Sequence, residues 1–554
     1  MTELLVVLVA AFVVIAAASL IGPRLGVAAP LVLVAVGVAA SFVPAFANVQ
    51  IQPQWILEGV LPPLLYSSAV SMPAMNFRRE FGAISGLSII LVVGSALVLG
   101  LFFMLVVPGV GFAWGAALGA IISPTDAVAT SIIKRTTVSK RVVALLDGES
   151  LLNDATALVL LRTAIAAAAA AFSFWGAVGT FAYSVAVAVL IGGAVGVLNL
   201  LVRKRIQDPT VGTVISFAIP FAASVPTELL GASGLVAAVV AGIITGVRAP
   251  RDFSPRTRLS DSQNWRTVEM VLEGAVFLTM GIQIKSIVSN VHHDGGGVGV
   301  AVLVATGALV LTLLVRGAYV IPLLSSLRRR SGAMERMRDR YAGMQQNMTT
   351  ETGRTEALEQ ANTRGGRRGG PGRGHRVTER DLDRFAGRLT RGLADIEYFK
   401  REPLGWREGT IVVWAGMRGA VTVAAAQTLP TSTPHHSVLV LIAFAVAALS
   451  LLVQGGTIGP VVRLITPKQP STDIAAAESS EQSRLGELMR TTAAAVPAPP
   501  QLQAGRSPDQ FTQSDFEAAR DYRIAVLELQ RTALLDARAD GTFDADVLEN
   551  VLAN

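Results

Sequence analysis

The sequence predicts an all-α polytopic membrane protein of about 13 transmembrane helices, with inverted repeats, two broken helices that cross, and a soluble cytoplasmic tail. Three observations carry this expectation. Over 554 residues, 51% are hydrophobic and only 16% are charged, a balance foreign to soluble domains of that length. Apolar runs of roughly twenty residues recur between short charged or Gly/Pro-bearing turns, and that is the length a helix needs to cross the hydrocarbon core. Polar motifs interrupt three of the runs, although one charge at the bilayer centre costs roughly 2.5 to 3.5 kcal/mol on insertion scales.

The apolar runs are residues 3–20, 27–46, 54–72, 82–107, 110–133, 141–168, 174–201, 211–230, 232–247, 265–285, 297–323, 409–429 and 436–464. No basic residue precedes the first run and no cleavage pattern follows it, so it reads as a retained helix rather than a signal peptide. With no cysteine in the chain, a disulfide framework, a thiolate metal site and a thiol nucleophile are excluded. No cofactor is expected.

Orientation follows from lysine and arginine. Alternate loops carry Arg24; Arg78 and Arg79; Lys134, Arg135, Lys140 and Arg141; Arg203, Lys204 and Arg205; and Arg248, Arg251, Arg256, Arg258 and Arg266. The intervening loops are nearly free of positive charge, with Lys285 the exception. The positive set is cytoplasmic by the loop-charge rule. An odd helix count then puts the N-terminus outside and the C-terminus inside, in a bacterial inner (plasma) membrane.

The run 141–168 holds Glu149, Ser150, Asn153 and Asp154. Ser150 and Asp154 share one helix face, Glu149 and Asn153 the adjacent one, so the helix presents a wedge of oxygen ligands suited to an ion or proton pathway. The plainer reading, acids paired with buried arginines, suits Glu149. It does not suit Asp154, whose expected neighbours Asn153 and Asp126 bring no positive charge. In the run 110–133, Ser123, Pro124, Thr125 and Asp126 predict a broken helix, because proline removes a donor and clashes with the preceding turn. The freed carbonyls, Thr125 and Asp126 are ligands suited to a hard cation, and Asp126 also suits the role of cap on the second half-helix.

In the run 409–429, Arg418 lies between Gly416 and Gly419, which predicts a second interruption around a buried cation. If helices one to six and eight to thirteen are repeats joined by the seventh, the two breaks occupy equivalent places in inverted halves. That is the pattern of a midplane site in a secondary transporter, with Glu149 the expected partner of Arg418. Glu273 reads as a structural partner or part of a cation funnel, and Arg316 as a snorkelling or ion-paired residue.

The stretch 325–408 reads as a basic, low-complexity cytoplasmic insert, with an Arg/Gly tract at 364–373, and most of it is expected to be disordered. Anionic lipid headgroups are its expected partner, in preference to nucleic acid. Residues 466–554 read as a linker and a helical tail, with an amphipathic helix from Asp515 and a turn at Gly541. Asp536, Asp540 and Gly541 resemble a calcium loop, but Arg538 stands where a ligand belongs and Val547 where the closing glutamate belongs, so calcium binding is rejected.

Ser123-Pro124-Thr125-Asp126, Gly148-Glu149-Ser150-Leu151-Leu152-Asn153-Asp154 and Gly416-Met417-Arg418-Gly419-Ala420, in this order, resemble the bacterial Na+/H+ antiporters of the cation:proton antiporter 1 family, the NhaP-like proteins. The resemblance covers a transmembrane antiporter domain, residues 1–465. It implies a homodimer in which core helices (about 82–168 and 297–464) move against interface helices (about 3–72 and 174–285). It also implies that Asp154 binds either sodium or a proton, that Thr125, Asp126 and Ser150 complete the sodium site, and that Asn153 supports it. Glu149 and Arg418 would form a structural ion pair. An Asn rather than a second Asp before the acid resembles the electroneutral branch, one proton for one sodium. A proton and a cation competing for one carboxylate give exchange if the site crosses only when loaded. The competing expectations are a K+/H+ antiporter, a cation channel, an intramembrane hydrolase using Asp126 and Asp154 as a dyad, and a sensor signalling through the tail.

Overall fold

The fold is that of a computed structural model, which describes residues 2–25, 27–43, 52–134, 136, 138–169, 174–206, 208–293, 297–349, 352, 354–356, 378–466, 471–499, 512–544, 547–548 and 551. Regular structure among these residues is entirely helical. The chain divides into two compact units, Met1–Ser325 with Leu404–Pro467, and Ser326–Pro403 with Lys468–Asn554.

In the first unit, α1 (Thr2–Leu25) and α2 (Ala29–Ser41) precede a π-helical turn, Trp55–Val60, that leads into α3 (Leu61–Ser71). Next, α4 (Ala74–Ser85) passes through a second π-helical turn, Gly86–Leu91, into α5 (Val92–Val106). The chain goes on through α6 (Phe112–Ile122), α7 (Val128–Ile133), α8 (Lys140–Ala169), α9 (Phe174–Arg203), α10 (Pro209–Leu229), α11 (Gly234–Asp252), α12 (Pro255–Ile282), α13 (Ile284–His293) and α14 (Val298–Thr349). After α15 (Glu379–Arg401) of the second unit come α16 (Trp406–Trp414), α17 (Ala420–Gln427), α18 (His436–Ser450), a third π-helical turn (Leu451–Gly455) and α19 (Gly456–Ile465).

Nine helices among the described residues are long and apolar enough to cross a membrane. Four of the thirteen predicted runs are not among them, for physical reasons. One falls on the shorter α2; one, at residues 55–71, is less apolar because it carries Glu58, Pro62, Pro63 and Tyr66; the other two are broken, between α6 and α7 and between α16 and α17.

Small residues let helices pack closely where a side chain would clash. A Cβ at Gly119 of α6 would lie 2.4 Å from the carbonyl oxygen of Ala96 on α5, and one at Gly281 of α12 would lie 2.4 Å from that of Val34 on α2. Hydrophobic burial between helices centres on Tyr66, Ile219, Ala238 and Trp265, where α3, α10, α11 and α12 meet.

The second unit corrects the expectation for the insert. Residues up to Thr349 continue α14, and α15 opens with a capping box between Thr378 and Asp381. Arginine, glutamate and alanine are good helix formers, so a basic stretch need not be irregular. The Arg/Gly tract at 364–373 lies outside the described residues. In the tail, α20 (Ser471–Ala494) packs on α21 (Gln513–Asp540) around Leu485, Leu534, Phe543 and Leu548. Thr512 and Asp515 form a capping box at the start of α21, and Gly541 ends it at φ 73°, a left-handed cap. Arg391 of α15 meets Asp540 at 3.7 Å, and Arg401 meets Glu481 of α20 at 3.8 Å. The insert and the tail, which read as separate appendages, thus share one packed unit.

Candidate ion-binding site

Both interruptions have local causes. α6 ends at Ile122 because Pro124 supplies no N–H and its ring crowds the preceding turn. Between α16 and α17 no proline intervenes, and the glycines answer to close neighbours instead. A Cβ at Gly416 would fall 2.7 Å from the Arg316 side chain, and one at Gly419 only 1.3 Å from Oδ2 of Asp126. The two breaks meet directly: the backbone N–H of Asp126 donates to the carbonyl of Met417 at 2.8 Å.

A broken helix leaves carbonyls without partners, and buried ones must find donors. Arg418, 1% exposed, supplies them: Nε donates to Ile122 O at 2.9 Å, Nη2 to Ser123 O at 3.4 Å, and Nη1 to Gly416 O. The hydroxyl of Ser123 donates to Ala120 O at 3.1 Å. Gln454, from the π-helical turn after α18, donates to Trp414 O at 2.8 Å. Arg418 is therefore a cation at the carbonyl end of α6, where the helix dipole favours positive charge.

This overturns the expected Glu149–Arg418 ion pair. Glu149, 1% exposed, pairs with Arg316 of α14: both carboxylate oxygens accept from the guanidinium, with Nη2–Oε2 at 2.7 Å. Arg316 is itself 1% exposed and donates from Nε to Val412 O of α16 at 2.9 Å. Of the two expectations for Arg316, the buried ion pair is the one formed. Thr125 completes the cluster, donating to Glu149 Oε1 at 3.1 Å and accepting from Asn153 Nδ2 at 2.7 Å. Asn153 Nδ2 also donates to Thr125 O at 3.2 Å, while its Oδ1 is buried without a hydrogen-bond partner.

Asp126 accepts from the backbone N–H of Val128 at 3.1 Å and so caps α7. Asp126 also lies within the electrostatic reach of Asp154. Glu273 on α12 lies in the same field, within electrostatic reach of Asp126 and of its helix neighbour Glu269. Ser150 is partly exposed one turn before Asp154 on α8. Among the described residues no ion pair involves Asp126 or Asp154, and no group of three or more His, Cys, Asp or Glu is arranged to hold a metal ion. A cation here would be held by carboxylates together with hydroxyl, amide and carbonyl oxygens.

Other buried charges escaped the sequence reading because they were counted as loop charges. Arg141, 2% exposed, pairs with Glu80 of α4; Arg203, 3% exposed, reaches Asp261 of α12 at 2.5 Å. Arg162 meets Glu228 at 3.4 Å on a more exposed surface.

Helices broken at facing points, freed carbonyls satisfied by a buried arginine, and two acids left to each other define a secondary transporter of ions. The chain belongs to the sodium/hydrogen exchanger (transmembrane) family, whose model matches residues 7–343 and 385–464. It is a multi-pass membrane protein of a family that exchanges cations for protons, a family of transporters rather than enzymes. An uncharacterized Na+/H+ exchanger of Mycobacterium tuberculosis is 27% identical over 585 residues, covering 99% of this chain and 94% of that protein. The sodium, potassium, lithium and rubidium/H+ antiporter of Bacillus subtilis is 31% identical over 274 residues, 48% of this chain and 41% of that one. The sodium proton antiporter MjNhaP1 from Methanocaldococcus jannaschii has a similar fold, with a TM-score of 0.55 at 14% identity over 84% of this chain and 100% of that chain.

Proposed function

We propose that the protein exchanges a monovalent cation, Na+ and also Li+, for H+ across a bacterial plasma membrane, with cation and proton competing for Asp154. The observation that carries this reading is the allotment of the two buried arginines. Arg316 is committed to Glu149 and Arg418 to backbone carbonyls, so among the described residues Asp154 has Asp126 within electrostatic reach and no fixed cation paired with it. Two such carboxylates are relieved by a proton or by a bound cation, and by both at once only poorly. Asp126, Thr125 and Ser150 would complete the sodium site, with Asn153 holding Thr125 in place.

Electroneutral 1:1 exchange, an elevator-like motion of core against interface helices, thirteen spans with inverted repeats, and a homodimer belong to the same reading. So do an outside N-terminus, a cytoplasmic C-terminus and contact of the basic insert with anionic lipid headgroups. A K+/H+ antiporter is the second reading, favoured by the potassium and rubidium in the name of the Bacillus relative. A cation channel is a weaker alternative, because a pore has no use for a carboxylate that must be emptied of one ion to take the other.

The test uses proteoliposomes with an inside-acid pH gradient and a pH-sensitive dye, with Na+, Li+ or K+ added outside. Dissipation by Na+ and Li+ that disappears in Asp154→Asn is expected. Dissipation by K+ alone changes the substrate, and no cation-dependent proton movement in folded, inserted protein overturns the reading.

A further inference from the structure

At the carboxyl end of α7, the short half-helix that begins beside Asp126, stands Lys134. Its backbone N–H donates to Thr130 O at 2.9 Å, and a lysine at a helix carboxyl end is favoured by the dipole. Its ammonium lies 2.9 Å from Oδ2 of Asp147 on α8, with the lysine side chain 53% exposed and the aspartate 24%. Glu269 of α12 lies within electrostatic reach of the same ammonium. Glu273, one helical turn after Glu269, lies within electrostatic reach of Asp126, and Asp126 within that of Asp154.

Asp147 lies two helical turns before Asp154 on the same face of α8, and Lys134 closes the half-helix that begins beside Asp126, so the Lys134–Asp147 pair stands at one end of the two elements that carry Asp126 and Asp154. A cation approaching from that end meets first an acid that already holds an ammonium. We propose that Lys134 is a tethered counter-ion at the mouth of the cation path, which sets the cation concentration needed for half-maximal exchange from its own side of the membrane. That side is the cytoplasmic one in the proposed orientation. This inference rests on the antiporter reading above. The ammonium competes with the mobile cation for Asp147 and lowers the local cation concentration, without touching the exchanging site; its effect is on half-saturation and not on turnover.

The experiment measures cation-dependent proton movement in everted vesicles, which present the cytoplasmic face to the added cation, and in right-side-out vesicles. Lys134→Gln is expected to lower the half-saturating Na+ concentration roughly 3-fold to 10-fold in everted vesicles. The maximal rate stays the same, and right-side-out vesicles show no change. Raising ionic strength with a bulky, non-transported cation shrinks the difference, and Lys134→Arg restores the wild-type value. Asp147→Asn, which removes the carboxylate and leaves the ammonium's charge uncompensated, shifts half-saturation the opposite way and keeps the inference testable if Lys134→Gln folds poorly. An unchanged half-saturating concentration in these variants, or a fall confined to maximal rate, overturns the role of Lys134 while leaving exchange itself intact. Absence of exchange in the wild type would instead remove the antiporter reading, and this inference with it.

Discussion

Glu149 and Asp154 lie little more than one helical turn apart on α8, inside the same membrane-spanning segment, and the protein treats them in opposite ways. Both oxygens of Glu149 receive the Arg316 guanidinium, and Thr125 donates to one of them as well. Asp154 has no ion-pair partner among the described residues and lies within electrostatic reach of Asp126. Burying a charge is tolerable when partners replace the lost water, and then the group is fixed and inert. A buried acid without such partners is held ready for an ion from outside. In the proposed mechanism the contrast separates the acid that holds helices together from the acid that does the exchanging.

The largest effect separates function from stability. Asp154→Asn should reduce exchange by about 100-fold or more, to background, while the thermal unfolding temperature in detergent does not fall, because no ion pair is lost. Loss of folded protein would show that Asp154 is structural after all. The reverse is expected at the other acid. Arg316→Met leaves Glu149 buried and uncompensated, at a cost of about 3–5 kcal/mol read as a lower unfolding temperature. Adding Glu149→Leu should recover most of that stability, and failure to recover would mean that Arg316 acts mainly through Val412 O.

Gly419→Ala gives an intermediate effect. Its Cβ would come within 1.3 Å of Asp126 Oδ2, so the carboxylate must move. Exchange should fall roughly tenfold, with a modest stability loss of about 1–3 kcal/mol. Unaltered exchange would detach Asp126 from the site. The smallest effect is at Thr125→Val, which removes the bridge between Asn153 and Glu149 but leaves Arg316 in place. About 1 kcal/mol is expected by thermal unfolding, along with a weaker apparent affinity for sodium. A collapse of folding would make Thr125 part of the scaffold alone.

Much of this contrast is legible in the sequence, because a charge inside an apolar run is conspicuous and Pro124 announces a break by its chemistry. The wedge from Glu149 to Asp154 and the interruption at Gly416–Gly419 follow from the same reasoning. The partner of Glu149 does not. Arg316 and Arg418 are both lone arginines in apolar spans, and choosing between them depends on which helix packs against α8, a tertiary fact. Gly416 is a faint signal, since its missing side chain makes room for Arg316, yet beside Arg418 it reads equally as a local helix breaker. Arg141 and Arg203 escaped for a related reason: at the ends of apolar runs a basic residue counts toward orientation, and nothing in the pattern says that it turns inward to Glu80 or Asp261. The shared core of insert and tail is likewise invisible, because Arg391 and Asp540 are distant in the chain and unremarkable one at a time.

The most direct test of the central claim is the half-saturating Na+ concentration of the wild type measured across pH in proteoliposomes with equal pH on both sides. If proton and cation compete for Asp154, half-saturation rises by about tenfold per pH unit on the acid side while the maximal rate is preserved. A half-saturating concentration that stays constant while the maximal rate falls would mean that the two ions bind at separate groups, and that would contradict the account.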